Sequence, residues 1–383
     1  MSKSRIHWLG AGLSSGPGIR KLANLGKSMT LWNRTISKAH AALRGIEHTN
    51  LDVRELKIDA LKAALNPRDI VVSMLPADMH PEIAKGCLER GCHLVTTSYL
   101  SDSMKAMHNA AEAKGLSFVN EVGLDPGLDH LLAHALVAKY RVFHSPSENL
   151  RLVFRSYCGG LSRVPNDFRY KFSWSPIGVL RALQNPATFI KDGVVRHVGQ
   201  PWKELSSFTL DGEEFEVYPN RNSLPYVKEY GFDLDWMVDF FARSTLRLKG
   251  WAKAWKDIFD QVEHATPETL EALSDELWEK YAFEEDEADR VVLFVGLEAF
   301  EGDKCIWQRS YKIDEVGNDD DSAMARLVSI PVTFAVDMIA EGRAVPGVST
   351  APRDLDEIRL WLKQLDAEGV KVIEQESCDG HWR

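Results

Sequence analysis

Residues 10–18 read GAGLSSGPG, the stretch of this chain with the most direct chemical meaning. Gly10 and Gly12 hold the first two places of a GxGxxG pattern. The first glycine permits a tight turn, and the second lets a pyrophosphate approach the backbone. Ser15 stands at the third place and is small enough for a helix to pack closely on a strand. Leu13 and Ser14 complete the turn, and a helix starting behind it offers free N–H groups and partial positive charge to a phosphate. Further on, LWNRT carries Asn33, Arg34 and Thr35. Enzymes that take NAD place an Asp or Glu here for the ribose 2′-hydroxyl. No carboxylate is present to repel a 2′-phosphate. Arg34 could pair with one, or could be a solvated loop cation. NADP(H) is the expected cofactor, ahead of NAD(H).

A glycine turn gains its meaning from the elements around it. Apolar runs at 5–9, 29–32, 69–74, 93–97 and 116–119 predict buried strands, with a weaker one near 48–53. Helical spacing appears at about 16–25, 36–44, 59–65, 80–90 and 101–114. Strand followed by helix, six times over, predicts an N-terminal Rossmann domain with a doubly wound parallel sheet. Ligands bind where the carboxyl ends of such strands gather. VVSMLP with Leu75, VTTSYL and NEVGLDPGLDHLL are therefore expected along one crevice. Within the last, Asp125 and Pro126 fit an N-cap and first helical position.

After about residue 127 the rhythm becomes antiparallel, with candidate strands at 150–157, 168–174, 213–219, 291–299 and 305–313. This predicts a second α/β (α+β) domain with a mostly antiparallel sheet. The stretch 233–284 reads as a helical insertion rich in Trp, where Trp251 and Trp255 lie one turn apart and fit core packing. Ser175 and Pro176 fit another helix start. A helix at about 322–341 is expected to return to the first domain. The expected division is thus 1–127, completed by about 322–383, and 128–321.

Composition narrows the functional classes. The net charge of −10 argues against nucleic acid as the main partner. No run of about 18 apolar residues suggests a membrane span, and the start lacks a signal-peptide pattern. Five cysteines, Cys87, Cys92, Cys158, Cys305 and Cys378, include no CxxC pair and fit free thiols in a reducing, cytoplasmic compartment. His130 and His134 sit four apart, but with no Cys or carboxylate at metal spacing no metal is expected.

Downstream come SYCGGL (156–161), YKFSWSPIGVL (170–180), YPNRNSLPY (218–226), STLRLKG (244–250) and SAMARLVSIP (322–331). With NEVGLDPGLDHL and the glycine turn, this ordered set resembles the saccharopine reductase family, the glutamate-forming saccharopine dehydrogenases, over almost the whole chain. The resemblance implies a Rossmann domain completed by C-terminal segments. It also implies an inserted second domain carrying substrate contacts and the interface of a homodimer. The loop SRVPNDF after SYCGGL departs from the family's usual proline-and-acid loop, and the helical segment is shorter than in the fungal reductases.

The activity so implied is oxidation of saccharopine with NADP, giving L-glutamate and 2-aminoadipate 6-semialdehyde in lysine metabolism. Saccharopine carries three carboxylates and two amino groups, so its site needs several cations and at least one carboxylate. By family match, Ser98, Tyr99, Asp125, Arg221, Thr245 and Arg247 contact substrate. Arg221 could clamp a carboxylate as a fork. Arg247 could do the same or be a surface strand charge. Asp125 could bind an ammonium or only cap a helix, and Trp174 could be an apolar wall or core. Tyr99, Asp125 and Cys158 are the matched positions for proton transfer, although Cys158 could equally be a small buried hydrophobe. Two other readings are a carboxynorspermidine dehydrogenase-like condensing enzyme and an NADP(H)-sensing homologue without turnover. The retained YPNR and STLR segments favour saccharopine over the first. Tyr99, Asp125, Cys158 and Arg221 together favour turnover over the second.

Overall fold

The computed structural model describes residues 4–46, 50–144, 150–284, 286–376 and 382. Its first strands are β1 (Ile6–Leu9), β2 (Met29–Asn33), β3 (Leu51–Glu55), β4 (Ile70–Ser73), β5 (His93–Thr96), β6 (Ser117–Val119), β7 (Arg151–Ser162) and β8 (Ala187–Lys191). There follow β9 (Val194–Val198), β10 (Ser206–Leu210), β11 (Glu213–Pro219), β12 (Met237–Leu248), β13 (Asp289–Glu301), β14 (Lys304–Val316), β15 (Gly347–Ser349) and β16 (Ile373–Glu376). The chain forms two compact units. One comprises Met1–His130 and Ala325–Gln364, and the other Leu131–Met324 and Leu365–Arg383.

The first unit is built on a parallel sheet in the order β15-β6-β5-β4-β1-β2-β3. Strand order reverses at β1, which pairs with β2 on one side and β4 on the other. Strands of four or five residues such as IHWL and MTLWN are buried nearly throughout, as expected for a sheet covered on both faces. The connecting helices press Leu61, Ile83, Met104 and Ala111 onto Leu9, Trp32, Val71, Leu94 and Phe118. Gly18 permits a close approach: a Cβ there would lie 2.6 Å from Ser329 O and 2.7 Å from the Trp8 ring. Thus Gly18, rather than Ser15 alone, lets the first helix (Gly16–Asn24) close on the sheet.

Several expectations are corrected here. The sheet has seven strands, not six. The extra one, β15, is only GVS, too short for a pattern, and Gly347 enters it with φ +102° where a side chain would strike His108. The helix expected at 101–114 divides into Asp102–Lys105 and His108–Ala113. β3 begins at Leu51, and 47–49, where the reading placed its start, lie outside the described residues.

The second unit holds a nine-stranded sheet. Its main path is β10-β11-β12-β7-β13-β14-β16, with the β8–β9 hairpin joined to β12. All pairings are antiparallel except β12 with β7. One face buries Tyr157, Phe208, Phe215, Val217, Leu246 and Phe294 together. A separate aromatic core joins Tyr170, Phe172, Trp202, Tyr218, Trp251 and Trp255.

Three readings fail in this unit. Residues 168–174 are no strand. Phe168, Tyr170 and Phe172 alternate because a loop inserts them around Trp255, and only Phe172 forms an isolated bridge, with Ala282. The helical reading of 233–284 holds from Trp251 to Tyr281, but Met237–Leu248 is the long strand β12, whose aromatic and β-branched MVDFFARSTLRL suits a sheet. The expected return of 322–383 to the first unit stops at Gln364, because β16 adds to β14 through Ile373–Glu376. The helix Ala323–Ala340 is long and apolar enough to cross a membrane, yet 78% of it is buried in the protein, as in a core helix.

Candidate functional site

In the first unit the glycine turn sits at the carboxyl end of β1, where strand order reverses. Gly10 adopts φ +97°, and a Cβ there would press on Met74 O at 3.2 Å. At Gly12 a Cβ would meet nothing within 4 Å, so the backbone is open to a close-lying phosphate. Asn33 braces the turn: its Oδ1 accepts the Ala11 N–H at 3.0 Å, and its Nδ2 donates to Thr35 O. Arg34 and Thr35 are exposed beside it, as is Leu13, while Ser14 is half-buried and Ser15 buried. Arg34 has no hydrogen-bond or ion-pair partner among the described residues. Leu75 is half-buried just beyond β4, with a methyl 3.5 Å from the site of a Gly10 Cβ. These features fit a dinucleotide with a 2′-phosphate: an approachable turn, a helix N-terminus and an unengaged guanidinium.

Ser98, Tyr99 and Asp125 come together further along the same sheet edge. The Tyr99 hydroxyl donates to Asp125 Oδ1 at 2.9 Å. Asp125 sits on a pinched loop, where a Cβ on Gly127 would lie 2.1 Å from Gly123 O. The capping reading of Asp125 fails. The helix starts at Leu128, and the N–H groups of Leu128, Asp129 and His130 donate to the carbonyls of Gly123, Leu124 and Gly127.

The sequence reading passed over His80. Buried behind Ser98, it faces Ser73 Oγ at 3.1 Å through Nδ1, and Thr96 Oγ1 at 2.9 Å and Ser98 Oγ at 2.8 Å through Nε2. Burial pushes its pKa down to about 4, so the ring is neutral and orients hydroxyls rather than carrying charge. The cue in the sequence was its place at the start of the helix after β4. His130 and His134 share a helix but part company: His130 faces Glu121 at 3.0 Å, and His134 packs edge-on against Tyr230.

In the second unit, register gathers the remaining candidates on one face. Tyr218 pairs with Thr245, and Thr245 with Cys158, forming one row across β11, β12 and β7. Arg247 follows two residues later on the same face of β12, and Arg243 precedes two residues earlier beside Ser156. Gly159 allows this close packing, since a Cβ there would lie 2.3 Å from Leu246 O. Cys158 is buried.

Arg247 is 5% exposed, which removes the surface-charge reading. Its guanidinium donates to Tyr218 Oη at 3.1 Å and Leu246 O at 3.3 Å, and stands 4.8 Å from the Tyr170 ring centroid. Its Nε has no partner, and neither do the nearby polar atoms of Tyr170 and Trp251. Glu216, its register partner, turns its carboxylate to the N–H groups of Gly250 and Ala252. A buried cation without a carboxylate is costly unless an anion joins it. Arg243, equally buried over the Tyr226 ring, was missed; the spacing R-S-T-L-R places both arginines on one strand face. Arg221 lies just past β11, exposed, with φ +55°. Trp174 is half-buried against the aromatic core and stands over Gly178, while Ser175 caps the helix Pro176–Gln184 as expected.

A dinucleotide turn at a sheet's switch point, with an unengaged arginine where NAD enzymes carry an acid, defines an NADP(H)-dependent oxidoreductase. Residues 6–119 match the family description Saccharopine dehydrogenase NADP binding domain, and residues 123–370 match Saccharopine dehydrogenase C-terminal domain. The chain belongs to the saccharopine dehydrogenase family. Saccharopine dehydrogenase [NADP(+), L-glutamate-forming] of Pyricularia oryzae is 30% identical over 422 residues, covering 89% of this chain and 92% of that protein. Mitochondrial alpha-aminoadipic semialdehyde synthase of Rattus norvegicus is 35% identical over 66% of this chain, which spans only 28% of that longer protein. The apo saccharopine dehydrogenase (L-Glu forming) structure from Saccharomyces cerevisiae superposes with TM-score 0.80 at 25% identity, covering 98% of this chain and all of that one. A homospermidine synthase from Legionella pneumophila shares the fold, with TM-score 0.64 at 10% identity, covering 98% and 92% of the two chains.

Proposed function

We propose that the protein interconverts saccharopine with L-glutamate and 2-aminoadipate 6-semialdehyde, using NADP(H). The observation that carries this reading is the row Tyr218–Thr245–Cys158 flanked by buried Arg243 and Arg247. A substrate with several carboxylates suits such a face, whereas a polyamine with fewer would leave the buried Arg247 uncompensated. When bound, the cofactor supplies hydride chemistry at nicotinamide C4. The chain's own residues bind, orient and move protons. Arg221 and Arg247 hold substrate carboxylates, and Thr245 and Ser98 supply hydroxyl contacts. Asp125 receives an ammonium. Tyr99, hydrogen-bonded to Asp125, is the proton carrier for deprotonating the amine and activating the water that opens the imine. Cys158 and Trp174 line the substrate's apolar parts.

The buried thiols Cys87 and Cys92, unbridged despite their proximity, support a reducing, cytoplasmic setting. Exposed Val194, Val195, Leu234 and Met237 on the second unit support a homodimer, which light scattering tests. The decisive assay incubates purified protein with saccharopine and NADP or NAD while following reduced-nicotinamide absorbance. No reduction with either cofactor overturns the reading.

A further inference from the structure

Glu121 is buried, 4% exposed, and holds φ +56°, a left-handed conformation that residues with a side chain rarely adopt. Such strain persists where the surroundings over-determine it. Here its backbone and side chain grip both sides of Tyr99. The Glu121 N–H donates to Ser98 O at 3.3 Å, and Oε1 accepts the Leu100 N–H at 2.7 Å. Its other oxygen lies 3.0 Å from His130 Nε2. His130 Nδ1 faces Asp129 Oδ2 at 3.5 Å, and Asp129 Oδ1 accepts the Gly127 N–H at 2.7 Å. Gly127 is two residues beyond Asp125. The buried series Glu121–His130–Asp129 therefore runs from the Tyr99 loop to the Asp125 loop, and the Tyr99–Asp125 hydrogen bond closes the circuit.

We infer that Glu121 is a positioning residue that sets the geometry of the Tyr99–Asp125 pair, with His130 and Asp129 transmitting it to the second loop. The inference rests on the proposed role of that pair but is testable without it. A carboxylate suits the position because one oxygen accepts the Leu100 N–H while the other stands within ion-pair distance of the imidazole, two contacts that no hydroxyl or aliphatic side chain can make together.

Three variants, Glu121→Gly, Glu121→Ala and Glu121→Gln, test it. Glycine relieves the backbone strain while deleting the clamp, so a folded protein is retained. Glutamine keeps an acceptor for Leu100 and a polar group for His130. Tyrosine ring-carbon NMR, with the Tyr99 signal assigned by Tyr99→Phe, reads the pair without substrate. Glu121→Gly should displace the Tyr99 signal and Glu121→Gln should restore it. NADPH affinity by fluorescence titration should change less than about twofold. With saccharopine, kcat of Glu121→Gly and Glu121→Ala should fall about tenfold to a hundredfold, with Glu121→Gln within a few-fold of wild type. Combining Glu121→Gly with Tyr99→Phe should add almost no further loss. A folded Glu121→Gly protein with an unmoved Tyr99 signal, or a loss that adds fully to that of Tyr99→Phe, overturns the inference. Displacement of the Tyr99 signal in a protein that ignores saccharopine would overturn the function and leave the clamp standing.

Discussion

The hydroxyl of Tyr99 donates to Oδ1 of Asp125 at 2.9 Å, and the two residues reach this contact from loops that follow different strands, β5 and β6. The helix that follows Asp125 starts at Leu128, and its first N–H groups are bonded to backbone carbonyls. The contact is therefore available for chemistry, and it sets the first expectation.

Asp125→Asn should lower kcat for saccharopine by about a factor of ten to a thousand while shifting unfolding stability by less than about 0.5 kcal/mol. The helix from Leu128 already has its first N–H groups bonded to backbone carbonyls, so no cap is lost. Steady-state kinetics beside urea unfolding checks both halves. A large loss of stability with full activity in the surviving protein would reinstate the capping role.

Arg34 stands exposed beside the glycine turn with no partner to give up. Arg34→Ala should weaken NADPH about tenfold to a hundredfold, from loss of roughly 1.5–3 kcal/mol of charged contact, and leave NADH nearly unchanged. Paired fluorescence titrations measure this. Equal weakening of both cofactors would place Arg34 on the pyrophosphate instead.

Arg247 is buried without a carboxylate among the described residues. Arg247→Met should raise the KM for saccharopine more than tenfold and leave NADPH affinity unchanged. It should destabilise the protein by no more than about 1 kcal/mol, because an uncompensated buried cation contributes little to the unliganded fold. Arg247→Lys should recover only part of the affinity, since an ammonium lacks the planar fork. A severe stability loss with an unaltered KM would make Arg247 a core residue.

Acid should weaken the fold in a defined window. The pKa of His80 falls from 6.5 in the open chain to about 4 in the folded one through burial. His93 falls likewise to about 4, through burial and then the Arg68 charge. Between these limits the unfolded chain binds protons that the folded chain refuses. Stability is thus full above about pH 6.5 and declines as pH drops towards 4, by about 3 kcal/mol for His80. Urea midpoints from pH 7.5 to 4.5 should show this slope, and His80→Gln should flatten part of it. An unchanged slope would relocate the acid sensitivity.

The parallel sheet was legible because each short buried run is followed by a helix, a pattern that propagates even when one member is weak. β15 was not, since three residues carry no period and its partner β6 lies far back in the chain. β12 was obscured for a different reason. Its aromatic-rich start runs into a Trp-rich helical stretch, and the change of period at Leu248 is masked by shared hydrophobicity. Among site residues, Gly10, Gly12 and Arg34 declared themselves by spacing within one turn. Asp125 and Arg247 could be named, but their alternatives could be removed only by seeing the carbonyls that cap the helix and the rings that bury the guanidinium. His80 and Glu121 act through hydrogen bonds to residues distant in sequence or through backbone conformation, neither of which a linear pattern records.

The pairing of β15 with β6 has a consequence for how the protein is made. Synthesis runs from the N-terminus, so β1 to β6 emerge long before Gly347–Ser349. Through that interval β6 exposes the unsatisfied edge of a hydrophobic parallel sheet, the kind of edge that recruits strands from other chains. The most vulnerable species is therefore a nascent or truncated chain ending before residue 347, and its outer strand, Ser117–Val119, is where chaperone binding or aggregation would start.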